Sequence, residues 1–125
     1  MVYLIDTNVI IRFLVGDHKE HLEIATDIFR KIELGEYEVE ILAPIVMEVL
    51  FVLIKFYKLP KDEVIDDLKK IIAFRGVVGD KVLLIETLNI VENKNIDFVD
   101  ALICAKSNLQ GYGKLSFDKD VNKKC

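Results

Sequence analysis

Three observations predict an alternating α/β fold built on a short parallel sheet. Brief hydrophobic runs recur at residues 2–5, 39–42, 77–78 and 114–117. Between them lie longer stretches in which apolar residues return every three or four positions, the period of an amphipathic helix. A strand-then-helix order with hydrophobic strands implies parallel pairing, with both faces of the sheet covered.

Residues 2–5 (Val-Tyr-Leu-Ile) read as a buried strand. Val9, Ile10, Phe13 and Leu14 form a helical stripe over 8–14, and Gly16-Asp17 breaks it. Leu22, Ala25, Ile28, Phe29 and Ile32 mark a helix over about 19–34 that stops at Gly35. Val39–Leu42 is a short strand. Pro44 suits the first turn of a helix running to about Tyr57. Leu59-Pro60 interrupts the chain, and Val64, Ile65, Leu68, Ile71 and Ile72 define the next helix. Val77-Val78 is a strand bracketed by Gly76 and Gly79. Helices follow at about 82–93 and 97–110, and Lys114–Phe117 reads as a last strand.

A chain of 125 residues predicts one domain with one core over 1–125. Its 52% hydrophobic content and mean hydropathy of +0.31 exclude a disordered chain. No apolar stretch reaches the length of a membrane span, and the longest, Ile41–Ile54, is interrupted by Glu48. The N-terminus lacks the basic region and cleavage site of a signal peptide, so the expected location is cytoplasmic. A net charge of −4 argues against a broad basic face for nucleic acid, but is compatible with a site where a bound metal supplies the positive charge. Cys104 and Cys125 have no metal-type spacing and do not suggest a disulfide framework. Cys104 reads as a packing residue and Cys125 as a frayed terminal thiol. The charged content, with Lys far ahead of Arg and Gln110 the only glutamine, hints at a thermophilic source.

The chemistry lies in the acids. Asp6 ends the first strand and opens the first helix, the carboxyl end of a strand being where open α/β sheets bind ligands. Capping alone would account for it, but Asp6-Thr7-Asn8 offers three capping side chains where one suffices. Glu48 stands among Ile45, Val46, Met47, Val49, Leu50, Phe51 and Val52. A helix apolar on every side is expected to be buried on most sides, and a carboxylate there needs a partner or a metal. Asp97 and Asp100 share a helix face; Asp97 is the natural cap, and Asp100 sits at the edge of the core. Asp118 follows a strand directly, as Asp6 does, with Asp120 as a further ligand or cap. Asp80 reads as a cap only. His18 and His21 read as a solvated pair rather than a metal pair. There is no phosphate-binding glycine loop and no nucleophile elbow. The aspartate-based phosphatases that begin with a strand and an Asp need a second Asp where this chain has Asn8.

Four segments together resemble the PIN domain family: Val2–Val9, Pro44–Val49, Asp97–Ile103 and Leu115–Asp120. The resemblance covers essentially the whole chain. It implies a three-layer α/β/α sandwich with a short, mostly parallel central sheet. It implies a metal-binding catalytic quartet at Asp6, Glu48, Asp100 and Asp118, with Asp120 as an accessory ligand. Thr7, Asn8, Asp97 and Ser116 would support it, Ser116 standing where the family often has Thr. Leu42-Ala43-Pro44 departs from the small hydroxyl residue that commonly precedes the Glu-bearing helix.

Carboxylates brought together in this way repel one another, and without a cation some would hold their protons. Mg²⁺ or Mn²⁺ relieves that repulsion. The resemblance thus implies a metal-dependent endoribonuclease acting on RNA. The length is similar to that of the toxin half of VapBC toxin–antitoxin pairs, which implies a small antitoxin partner and a homodimer, with no membrane partner. A PIN ribonuclease of RNA processing or decay and a non-catalytic PIN scaffold are the alternatives. Phe51, Val52, Leu53, Ile54 and Phe56 surround the helix over 44–57, more apolar surface than one small core covers, so a leftover patch should mark a partner site. Arg12, Lys55, Lys106 and Lys119 are the basic residues nearest the motifs.

Overall fold

A computed structural model describes all residues, Met1–Cys125, and the chain forms two compact units, Met1–Gly79 and Asp80–Cys125. The first unit carries the sheet: β1 (Val2–Leu4), β2 (Glu38–Glu40) and β3 (Val77–Val78), all parallel and in that order. Tyr3 lies opposite Val39, and Val39 opposite Val77. Its helices are α1 (Thr7–Val15), α2 (Lys19–Leu34), α3 (Ala43–Phe51) and α4 (Lys61–Ile72). The second unit contains α5 (Lys81–Lys94), α6 (Phe98–Gln110) and α7 (Lys119–Lys124). The predicted alternation and parallel pairing are therefore observed. No helix is long and apolar enough to cross a membrane.

α2 and α4 form where apolar period and end signals agree. In α2 the stripe Ala25, Phe29 and Ile32 is buried, and Gly35 ends the helix at φ 80°, a left-handed conformation that glycine adopts without a side-chain penalty. In α4, Val64, Ile65, Leu68, Ile71 and Ile72 are all buried. Together with Ile10, Ile11, Val39, Val46, Val49, Leu53 and Val77 they make up most of the core of the first unit. In the second unit, α5 and α6 pack together, and Leu84, Leu88, Ala101 and Ala105 on these helices are buried. Asp80 caps α5, its carboxylate accepting from the Leu83 N–H at 3.1 Å, as expected.

Five details differ from expectation, each for a local reason. β1 is not a buried strand: Val2, Tyr3 and Leu4 are all exposed, and since successive side chains point to opposite faces, both faces of this strand are left uncovered. β2 sits nearer the N-terminus than the predicted 39–42. The helix beginning at Ala43 does not run regularly to Tyr57; Val52–Phe56 widens into a π turn, closed by Tyr57 N–H donating to the Val52 carbonyl at 3.2 Å.

Lys114–Phe117 is no strand. Its Leu115 and Phe117 alternate as a strand's side chains would, yet both are fully exposed. Ser116 instead makes a local turn: its Oγ accepts from Asp118 N–H at 2.9 Å and its carbonyl accepts from Asn122 Nδ2 at 2.9 Å. Such side-chain bonds compete with a sheet ladder, and here they start α7, a helix too short for its period to stand out in the sequence. Finally, Cys125 is not a free thiol. It forms a disulfide with Cys104, which is buried as a packing residue should be.

Candidate active site

All of the candidate acids except Glu48, which lies in the body of α3, occupy helix beginnings, and the reason is chemical. Unpaired N–H groups and the helix dipole both favour a carboxylate there. In the first unit, Asp6 caps α1, and its Oδ1 accepts from the Asn8 N–H at 3.1 Å. Asp6 and Asn8 are exposed, while Thr7 between them is buried. Glu48 is exposed on α3, not enclosed in an apolar helix as its neighbours led one to expect. Val46, Val49 and Leu50 take the buried side of α3, leaving Glu48 with Met47 and Phe51 on the other. A unit of this size has too little core to cover an all-apolar helix on every side. α1 packs against α3, and Glu48 makes no ion pair with a lysine or arginine, so it is free to meet a cation.

In the second unit the acids act on one another. Asp97 stands at the cap position of α6, but its side chain makes no capping hydrogen bond. Asp100 lies half-buried in the first turn of the same helix. Asp118 caps α7, accepting from the Asp120 N–H at 2.7 Å, and Asp120 is bridged by Lys124 at 3.4 Å. Burial pushes the Asp100 carboxyl above the usual carboxylate range, and the charges of Asp118, Asp97 and Asp120 push it further. The upward shift anticipated from burial and mutual repulsion thus falls on Asp100, burial being the larger cause. Ser116 fixes the approach to Asp118 through the bond described above.

Within either unit, no three His, Cys, Asp or Glu side chains lie close enough to hold a metal ion as they stand. The donor chemistry nevertheless suits one. The groups are all hard carboxylate oxygens, and no cation offsets their charge at Asp100. Asp118 is the carboxylate whose charge acts most on Asp100; in the first unit, Asp6 and Glu48 carry no ion pair.

Asp100 binds its proton more tightly in the folded chain than unfolded, where its value is near 3.8. Its contribution to stability is therefore lost as pH rises from about 3.8 through its folded value. Asp100→Asn removes that loss. Metal-free thermal melts should show the variant gaining on the natural chain as pH rises toward neutrality, and coinciding offsets at every pH would refute the shift.

A groove of about 190 Å³ between α1 and α2 is lined by Asn8, Val9, Arg12, His21, Ile24, Ala25 and Ile28. It begins two residues from Asp6. Arg12 at its rim pairs with Asp17 at 3.2 Å, and the Tyr57 hydroxyl donates to the same carboxylate at 3.2 Å. His18 and His21 are exposed and stacked, with His18 Nδ1 accepting from the His21 N–H and so capping α2. Nothing in the sequence pattern marked that capping role. No curated protein and no solved structure was found to match the chain. The PIN domain, a fold generally associated with metal-using nucleases, matches residues 3–125. With a parallel sheet, an acid closing β1 and acids opening α6 and α7, this chain belongs to the PIN domain family.

Proposed function

We propose that residues 1–125 act as a single PIN domain, a Mg²⁺- or Mn²⁺-dependent endoribonuclease of the VapC-like toxin kind. The observation that carries this reading is the state of Asp100, a family-motif carboxyl raised by its burial and by three neighbouring carboxylates, of which only Asp120 has a lysine partner, Lys124. Such a group is poised for a divalent ion. By motif, Asp6, Glu48, Asp100 and Asp118 are the catalytic acids and metal ligands, with Asp120 as an accessory ligand. Thr7, Asn8, Asp97 and Ser116 orient them. The local bonds from Asn8 to Asp6 and from Asp118 to Ser116 support that role.

When bound, the metal supplies a water of lowered pKa and polarises a phosphate oxygen. The protein's part is to hold the carboxylates and to orient the RNA backbone. No covalent protein nucleophile is required. The rival route, attack by the RNA's own 2′-hydroxyl, needs a general base such as His. His18 and His21 are engaged with each other at the start of α2 instead.

End-group analysis of cleaved RNA tests this. Hydrolysis leaves a 5′-phosphate and a 3′-hydroxyl, and excess EDTA abolishes it. Ca²⁺ should bind but support little turnover, because its looser coordination activates water poorly. Cyclic 2′,3′-phosphate ends, or full activity in EDTA, would sink the reading.

The toxin assignment carries two partners. Met47, Phe51 and Phe56 remain exposed, Phe56 at 72%, with the two rings 5.9 Å apart. An apolar patch of this kind supports a homodimer, and the α1/α2 groove offers a place for a segment of a small antitoxin. Sedimentation should show a dimer at micromolar concentration, and Phe56→Asp should weaken it by about tenfold or more. A strict monomer would count against the dimer.

A further inference from the structure

Cys104 and Cys125 are joined across 21 residues, with their Cα atoms 5.3 Å apart. Cys104 is fully buried in α6, four residues after Asp100 and so one turn along the same helix face. Cys125 follows the last residue of α7, and Asp118 caps that helix at its other end. Three things therefore relate α7 to α6. Near the cap, Asp118 and Asp100 face each other as like charges. In the middle, Val121 is buried. At the far end stands the disulfide. A helix of six residues has no stability of its own. The bonds among Ser116, Asp118, Asp120 and Asn122 shape its start, but tie it to nothing in α6. The contacts that order α7 against the carboxylate repulsion are thus Val121 and the covalent link.

We propose that the Cys104–Cys125 disulfide is a thiol-responsive latch that holds α7, and with it Asp118 and Asp120, in place beside Asp100. This inference rests on the carboxylate-site reading above, whose regulation it supplies. The opening reaction is thiol–disulfide exchange with a dithiol reductant. One thiolate of the reductant attacks the sulfur of Cys125, the less buried of the two, and expels Cys104 as thiolate. The reductant's second thiol then closes its own disulfide and releases Cys125. Two electrons pass to the protein, both cysteines end as thiols with the reductant's protons, and the reductant leaves oxidised. With the latch open, α7 is held chiefly by Val121, and its segment joins the readily opened parts of the chain.

The test uses the full chain, oxidised and then reduced with a dithiol, the thiol state being checked by alkylation. Hydrogen exchange is read at residues 119–124, and Mn²⁺ affinity by titration. On reduction, protection at 119–124 should fall and Mn²⁺ affinity should drop by about tenfold or more, the scale of losing a group that orients a metal ligand. Reoxidation should restore both. Cys125→Ser should give the reduced behaviour with or without reductant. Unchanged exchange at 119–124 after verified reduction overturns the latch, as does one Mn²⁺ affinity for both states. Absence of Mn²⁺ binding in either state overturns the carboxylate reading and its regulation together. The exchange difference then decides separately whether the disulfide orders α7.

Discussion

Asp100→Asn should reduce Mn²⁺-dependent RNA cleavage by about 100-fold or more, while leaving the fold intact. The size follows from what is removed. A group that stabilises charge in the transition state contributes on the order of 10²–10³ in rate when deleted singly, and a metal ligand adds the loss of the ion's own chemistry. Asn keeps the shape of the side chain but not its charge. In the metal-free chain that charge is held against burial and three other carboxylates, so its removal should not harm folding. Loss of activity without loss of stability separates a catalytic acid from a structural one. Asp6→Asn should behave in the same way. Asp80→Asn is the control: Asp80 also opens a helix and accepts a backbone N–H, but lies outside the family's acidic motifs. If Asp100→Asn and Asp80→Asn cleave equally well, the catalytic assignment of Asp100 is wrong.

A second large effect is expected where no chemistry occurs. Gly76→Ala should destabilise the protein by about 3 kcal/mol, the upper range for forcing an extra carbon into a filled interior. Gly76 is buried just before β3. Its N–H donates to the Ile32 carbonyl at 2.8 Å, and its own carbonyl accepts from the Val39 N–H at 2.8 Å. A Cβ at this position would run into the Tyr37 carbonyl oxygen and stand 2.6 Å from that of Ile32. Both are backbone atoms, so neither can swing aside as a side chain would. The end of α2, β2 and β3 would have to shift together. Gly113→Ala is the comparison, since a Cβ there meets nothing within 4 Å. Denaturant midpoints should separate the two variants clearly, and equal midpoints would show that the crowding at Gly76 relaxes easily.

The order and type of nearly every element can be read from residue patterns alone. Helices such as α2 and α4 were legible because their buried stripes repeat at helical spacing and their ends carry glycine or proline. β3 was legible between Gly76 and Gly79, and Asp80 as a cap. The acids were legible as candidates because Asp6 follows a strand, Glu48 stands within an apolar run and Asp97 and Asp100 open a helix, and because four motifs in order resemble one family.

Tertiary structure decided what depends on neighbours distant in the chain. Whether β1 is buried depends on what covers its two faces, and its side chains on both are left exposed. Whether Glu48 is enclosed depends on how much core exists to cover α3, and its side of the helix is left open. Leu115 and Phe117 alternate as in a strand, but a strand needs a ladder, and Ser116 takes the local bonds first. The disulfide depends on α7 bringing Cys125 to Cys104, a pairing that two cysteines 21 residues apart do not announce. Periodicity and capping are properties of adjacent residues, and so can be read from the sequence. Burial, charge coupling at Asp100 and covalent pairing are properties of distance in space, which only the folded chain fixes.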